Sequence, residues 1–197
     1  MAILITGGAR SGKSAFAEAA AARLADSGIY IATMQPLDDE LQERVEQHRK
    51  QREERGMRWT TVEAPSALVP TLEQLAHEHG TLARPPVVLV DCLTLWLTNR
   101  MLAHERPGGG WDEIAGAALD RETDQLIAAV SGYPLPLLLV TNEVGGGIVP
   151  EYPLGRRFRD EAGRLNRRLA EVCGRVYLVT AGIPVELTSI AASLDDL

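Results

Sequence analysis

Residues 7–14 read Gly-Gly-Ala-Arg-Ser-Gly-Lys-Ser, and no other stretch restricts the fold of this chain so strongly. They satisfy G-x-x-x-x-G-K-[ST] in full. The flanks matter as much as the motif: the apolar run "AILIT" (2–6) precedes it and the alanine-rich "SAFAEAAAARLA" follows. Strand, glycine turn and helix together aim backbone N–H groups at an anion, at the helix end whose dipole favours negative charge. Gly7, Gly8, Ala9, Arg10, Ser11 and Gly12 supply the wrap. Lys13 can then reach the β- and γ-phosphates, and the Ser14 hydroxyl suits Mg²⁺. Lys13 is one of only two lysines in the chain, so it is not background composition.

The rest of the sequence repeats the same alternation. "IYIAT" (29–33), "VVLVD" (87–91), "LLLVT" (137–141) and "VYLVT" (176–180) are near-continuous apolar runs, as strands buried on both faces of a parallel sheet must be. "RWTTVE" (58–63) adds a shorter edge strand. Helical patterns span roughly 13–26, 38–55, 66–79, 93–105, 112–131 and 154–173. The last is clearest, with Leu154, Phe158, Ala162, Leu165, Leu169 and Val172 at three- and four-residue steps. The expectation is one P-loop nucleotide-binding domain over residues 1–197, an α/β fold with a mostly parallel sheet flanked by helices on both faces. Ligands then sit at the carboxyl ends of the strands. "RPGGGWDE" (106–113) is a surface loop joining two helices.

A phosphate cradle needs an acid beside the metal. Asp91 ends an apolar strand and can hold Mg²⁺ directly or through water; it can equally cap the helix that follows. The helix over 38–55 offers a second constellation. Leu41, Val45, His48, Arg52 and Arg55 share one face, which begins apolar and ends in imidazole and guanidinium. Such a face suits a helix leaning over an anion, with His48 as a nucleophile on phosphorus and Arg49 and Arg52 neutralising charge. Spacing alone fits a solvated, charge-rich helix as well. His77, His79 and His104 read as surface residues, and Cys92 and Cys173 as reduced packing residues.

Composition removes several classes. A net charge of -7 and a pI near 5.2 leave no basic stripe for nucleic acid. No run is long and apolar enough for a membrane span, and no basic n-region with an apolar h-region stands at the N-terminus, so a cytoplasmic enzyme is expected. The N-K-x-D signature that reads guanine is absent, and "VTNEV" (140–144) is the nearest sequence to it. There is no G-x-G-x-x-G. A P-loop kinase of a small metabolite and a nucleotide-dependent regulatory ATPase both remain open on these features alone.

Longer matches decide between them. "LITGGARSGKSAFAE" (4–18), "YIATMQPLDDELQERVEQHRKQR" (30–52), "WTTVE" (59–63), "DCLTLWLTN" (91–99) and "VTNEVGGGIVPEYPLGRRFRDEAGRLNRRLA" (140–170) resemble, in order, the bifunctional adenosylcobinamide kinase/adenosylcobinamide-phosphate guanylyltransferases of cobalamin biosynthesis. The resemblance implies a RecA-like P-loop fold, often a homotrimer. It implies phosphorylation of adenosylcobinamide by ATP or GTP with Mg²⁺, then transfer of GMP from GTP to the phosphate through a guanylylated histidine. His48 is that histidine by this match, with Lys13 as the other catalytic residue. Residues 7–14, Ala32, Thr33, Met34, Arg49, Lys50, Gln51, Arg52, Glu63 and Asp91 are then the nucleotide site, with Ser14 and Asp91 toward the metal. The glycine loop 142–152, followed by Arg156, Arg157 and Arg159, either contacts the corrinoid or a neighbouring subunit, or is a plain surface loop before a basic helix face.

Overall fold

A computed structural model describes residues 1–34, 56–106 and 110–193. Among these residues seven strands form one sheet: β1 (Ala2–Thr6), β2 (Ser27–Ala32), β3 (Arg58–Glu63), β4 (Val87–Asp91), β5 (Leu137–Val140), β6 (Arg175–Thr180) and β7 (Ile183–Glu186). Their order is β3-β2-β4-β5-β1-β6-β7. Neighbours pair in parallel except β7, which runs antiparallel along β6 at one edge. The described helices are α1 (Lys13–Leu24), α2 (Leu68–His79), α3 (Leu93–His104), α4 (Glu113–Val130) and α5 (Pro153–Val172). The α/β class and all six expected strands are present. The helix expected over 38–55 lies outside the described residues.

The unbroken apolar runs have a direct cause: each strand that carries one feeds two cores. Leu4, Ile31, Val88, Val90, Leu137 and Leu139 face the larger one, together with Leu68, Leu72 and Leu75 of α2 and Ala162, Leu165 and Leu169 of α5. Ile3, Ile5, Val87, Leu89, Leu138 and Val140 face the smaller one. There Ala17 and Ala21 present α1 with almost no side chain, which lets the helix after the phosphate loop lie close against the sheet. Each fully buried leucine contributes about 1.5–3 kcal/mol, so tertiary packing holds α5 despite its many charges.

Two features differ from the sequence reading. Strand β7 was not anticipated, because Pro184 interrupts its pattern. An edge strand accepts proline, since the missing N–H faces away from the ladder. His104 is not a simple surface residue. Its Nε2 stands 3.1 Å from Glu122 Oε1, and Arg100 grips the same carboxylate through two nitrogens at 2.7 and 2.5 Å. This half-buried group ties α3 to α4. Burial opposes the Glu122 charge, yet its Arg100 and His104 partners outweigh that and hold its pKa below the usual glutamate range. Of the other histidines, His77 is exposed and His79 is half-buried beside Glu78. Cys92 and Cys173 are free and buried, as expected.

Candidate functional site

The site is assembled by register. Ala32 lies opposite both Glu63 and Asp91, Asp91 opposite Val140, and Val140 opposite Ile5. The strand ends therefore form one rim, and the loop 7–12 rises from it directly after Thr6. Of the residues expected at the site, the structure brings residues 7–14, Ala32, Thr33, Met34, Glu63 and Asp91 to this rim. His48, Arg49, Lys50, Gln51 and Arg52 lie outside the described residues.

The loop itself is shaped by close backbone contacts. Gly7 takes φ 153°, and a Cβ there would meet the Val179 carbonyl oxygen at 2.2 Å, so only glycine fits. Gly12 takes φ 97° and serves as the N-cap of α1 without a side chain to satisfy the first-turn N–H groups. The positive end of the α1 dipole thus adjoins the loop and favours an anion there. Ser11 N–H donates to Gly8 O at 3.3 Å, and Gly182 N–H donates to Ser11 O at 2.9 Å. The Ser11 hydroxyl is buried without a hydrogen-bond partner among the described residues, a donor suited to a phosphate oxygen.

Lys13 is nearly buried, and its Nζ donates to Gly8 O across the loop at 2.6 Å. Burial lowers its pKa from the ordinary lysine value, while the Asp91 charge opposes that shift. A phosphate in the cradle adds counter-charge beside the buried ammonium. Asp91 does not cap the following helix, because Cys92 is the N-cap of α3 and caps it without a side-chain bond. Its Oδ2 instead accepts from the Tyr30 hydroxyl at 3.2 Å. Among the described residues no three His, Cys, Asp or Glu side chains gather to hold a metal. One hydroxyl and one carboxylate fit Mg²⁺, which binds through few protein ligands and takes the rest from phosphate and water.

Around these groups run polar bonds that single-residue spacing could not disclose. The Thr33 side chain is fully buried: its hydroxyl donates to Cys92 O at 2.7 Å and accepts from Cys92 N–H at 2.9 Å. The main-chain N–H of Thr33 is engaged too, donating to Asp91 O at 3.5 Å. Asn99 Nδ2 donates to Thr33 O at 2.9 Å and Pro65 O at 2.8 Å, fastening together the chain beyond β2 and β3. Asn142 Nδ2 donates to Thr94 Oγ1 at 2.8 Å, and Asn166 Nδ2 donates to Asn142 O at 3.0 Å.

The loop after β5 is held by side chains. Glu143 N–H donates to Gly7 O at 3.0 Å, and Glu143 Oε1 accepts from Gly145 N–H at 3.1 Å. Arg159 donates to Gly145 O; Arg156 donates to Pro150 O at 3.2 Å and to Glu151 O. Both arginines thus serve as clamps on the loop. Arg157 stacks over Trp111, 5.3 Å from the ring centre.

Three comparisons bear on this geometry. The family model described as cobinamide kinase / cobinamide phosphate guanyltransferase matches residues 3–187. The bifunctional adenosylcobalamin biosynthesis protein CobU of Escherichia coli is 44% identical over 192 residues, covering 95% of this chain and 99% of that protein. CobP of Pseudomonas aeruginosa, which bears the same description, is 42% identical over 184 residues, covering 93% and 95%. Among solved structures, the RadB recombinase superposes with a TM-score of 0.47 at 16% identity, covering 90% of this chain and 73% of that one. With the family match running from β1 into β7 and beyond the phosphate loop at every strand end, the chain belongs to the cobinamide kinase / cobinamide phosphate guanyltransferase family.

Proposed function

We propose that the protein phosphorylates adenosylcobinamide with ATP or GTP, then transfers GMP from GTP to the new phosphate, giving adenosylcobinamide-GDP and pyrophosphate. The observation that carries this is the family match over residues 3–187, together with a phosphate loop whose strained glycine, crossing lysine and orphaned serine hydroxyl are all in place. Lys13 and the α1 N-terminus offset charge on the transferring phosphoryl group. Ser14 and Asp91 hold Mg²⁺, which neutralises the phosphates when bound. Ala32 to Met34, Glu63 and Asp91 line the nucleotide along the rim, with Arg49, Lys50, Gln51 and Arg52 completing it.

In the second reaction an imidazole nitrogen of His48 bonds to the α-phosphorus of GTP as the bond to pyrophosphate breaks. A phosphate oxygen of the corrinoid then displaces the imidazole, so one difficult displacement becomes two easier ones. Met34, from which the chain continues toward His48, follows Thr33 on the same rim as Asp91; the Thr33 N–H donates to Asp91 O at 3.5 Å. The test is incubation with GTP labelled at the α-phosphorus. Acid-labile, base-stable label on the protein that disappears in His48→Ala supports the intermediate. Active enzyme that never takes up label refutes it.

Two further elements of the proposal rest on resemblance: a cytoplasmic location and a homotrimer. Ile148, Val149 and Tyr152 on the glycine loop and Ile183, Val185 and Ile190 near β7 are exposed apolar residues that an assembly could cover. Light scattering on the purified protein gives the mass that decides the oligomer. No described helix is long and apolar enough to cross a membrane.

A further inference from the structure

We propose that Asn142 orients the attacking hydroxyl in phosphoryl transfer, through the oxygen of its side-chain amide. The proposal rests on the kinase half of the function above. Strand β5 lies between β1, which feeds the phosphate loop, and β4, which ends in Asp91. The residue emerging from β5 therefore stands between cradle and acid. Its placement is fixed on both sides: Thr141 N–H donates to Ile5 O at 2.9 Å, and Glu143 N–H donates to Gly7 O at 3.0 Å.

The side chain is held as firmly as the backbone. Asn142 Nδ2 donates to Thr94 Oγ1, and that hydroxyl lies 3.0 Å from Cys92 Sγ, one residue beyond Asp91. Asn166 takes the Asn142 carbonyl with Nδ2 and accepts from the Thr141 hydroxyl at 2.7 Å with Oδ1. With Nδ2 committed, the plane of the amide is set. Its Oδ1 accepts no hydrogen bond from any described residue, and the side chain is only half-buried.

A preset, uncharged acceptor is what an alcohol nucleophile needs at this place. It can take the O–H hydrogen bond without repelling the triphosphate, as a carboxylate would. The neighbouring carboxylate, Glu143, is already engaged with Gly145 N–H. In the step itself the substrate oxygen bonds to the γ-phosphorus while the bond to the β,γ-bridging oxygen breaks. The nucleoside diphosphate leaves, and the hydroxyl proton passes to solvent. Asn142 neither gains nor loses a proton; it aligns the oxygen for attack. The α-phosphorus attacked in GMP transfer makes no demand on this alignment.

The experiment compares phosphorylation of cobinamide with guanylylation of the protein by α-labelled GTP, in wild type, Asn142→Ala and Thr94→Val. The expected result is a fall of about 10–100-fold in the ratio of the first rate to the second in Asn142→Ala, carried by kcat with the nucleotide KM unchanged. Thr94→Val keeps the amide and removes its anchor, so it gives a smaller fall in the same ratio and decides the matter if Asn142→Ala does not fold. An unchanged ratio overturns the inference, and so do two rates that fall together, which mark a purely structural network. Wild-type protein that guanylylates but never phosphorylates cobinamide overturns the kinase reading itself.

Discussion

Two glycine-bearing loops rise from neighbouring strands, and they are built on opposite principles. The loop 7–12 after β1 is a backbone object. Gly7 packs against the Val179 carbonyl, Gly12 adopts a left-handed conformation, and main-chain bonds lock Ser11 to Gly8 and to Gly182. The loop after β5 is a side-chain object. Glu143 folds onto Gly145, while Arg156 and Arg159 reach back from α5 to carbonyls of the loop. Gly146 at its crest has no atom within contact distance of a would-be Cβ. A shape made by backbone leaves a strict sequence motif, whereas one made by long side chains needs only a guanidinium at the right height on a helix.

Substitutions can break this contrast. Gly7→Ala should have the largest effect: a methyl group 2.2 Å from a carbonyl oxygen forces the loop from β6, at about 2–4 kcal/mol, with nucleotide binding lost. Calorimetry and GTP titration measure both, and near-wild-type binding would show the loop to be more pliable than its packing implies. Arg159→Ala removes one charge-assisted bond from a partly exposed position, and about 1 kcal/mol of stability is expected to go with it. Its signature should be faster proteolysis within 143–152 while nucleotide affinity holds. Gly146→Ala should be the mildest, within about 0.5 kcal/mol by thermal unfolding. A large loss of activity there would mean that the crest is packed against something in the working enzyme, and the contrast would fail.

The same division explains what could be read from the residues in order. Apolar strands with both faces buried, the α5 stripe and the phosphate loop all impose local patterns, and each is where it was expected. Strand β7 has no local pattern, because Pro184 hides it and only its pairing with β6 defines it. Asn99 and Asn142 stand in the sequence reading only within longer stretches, with no task of their own, for a related reason. Each amide joins segments 34 to 66 residues apart, so nothing near it in sequence marks its task. His104 was placed at the surface because Glu122 lies eighteen positions away, on another helix. Tyr30 sits inside a hydrophobic strand pattern, and its bond to Asp91 becomes visible only when β2 lies beside β4.

The hairpin joining β6 to β7 carries one further consequence, for thermal tolerance. Thr180 pairs with Ile183, so the turn has only Ala181 and Gly182 at its centre, both at positive φ (50° and 78°). That geometry matches the twist of the flanking strands, and asparagine followed by glycine is its preferred sequence. Alanine is the weaker choice at the first place. The turn that braces Ser11 through the Gly182 N–H therefore carries avoidable strain, and Ala181→Asn should raise the melting temperature without altering a side chain at the nucleotide rim.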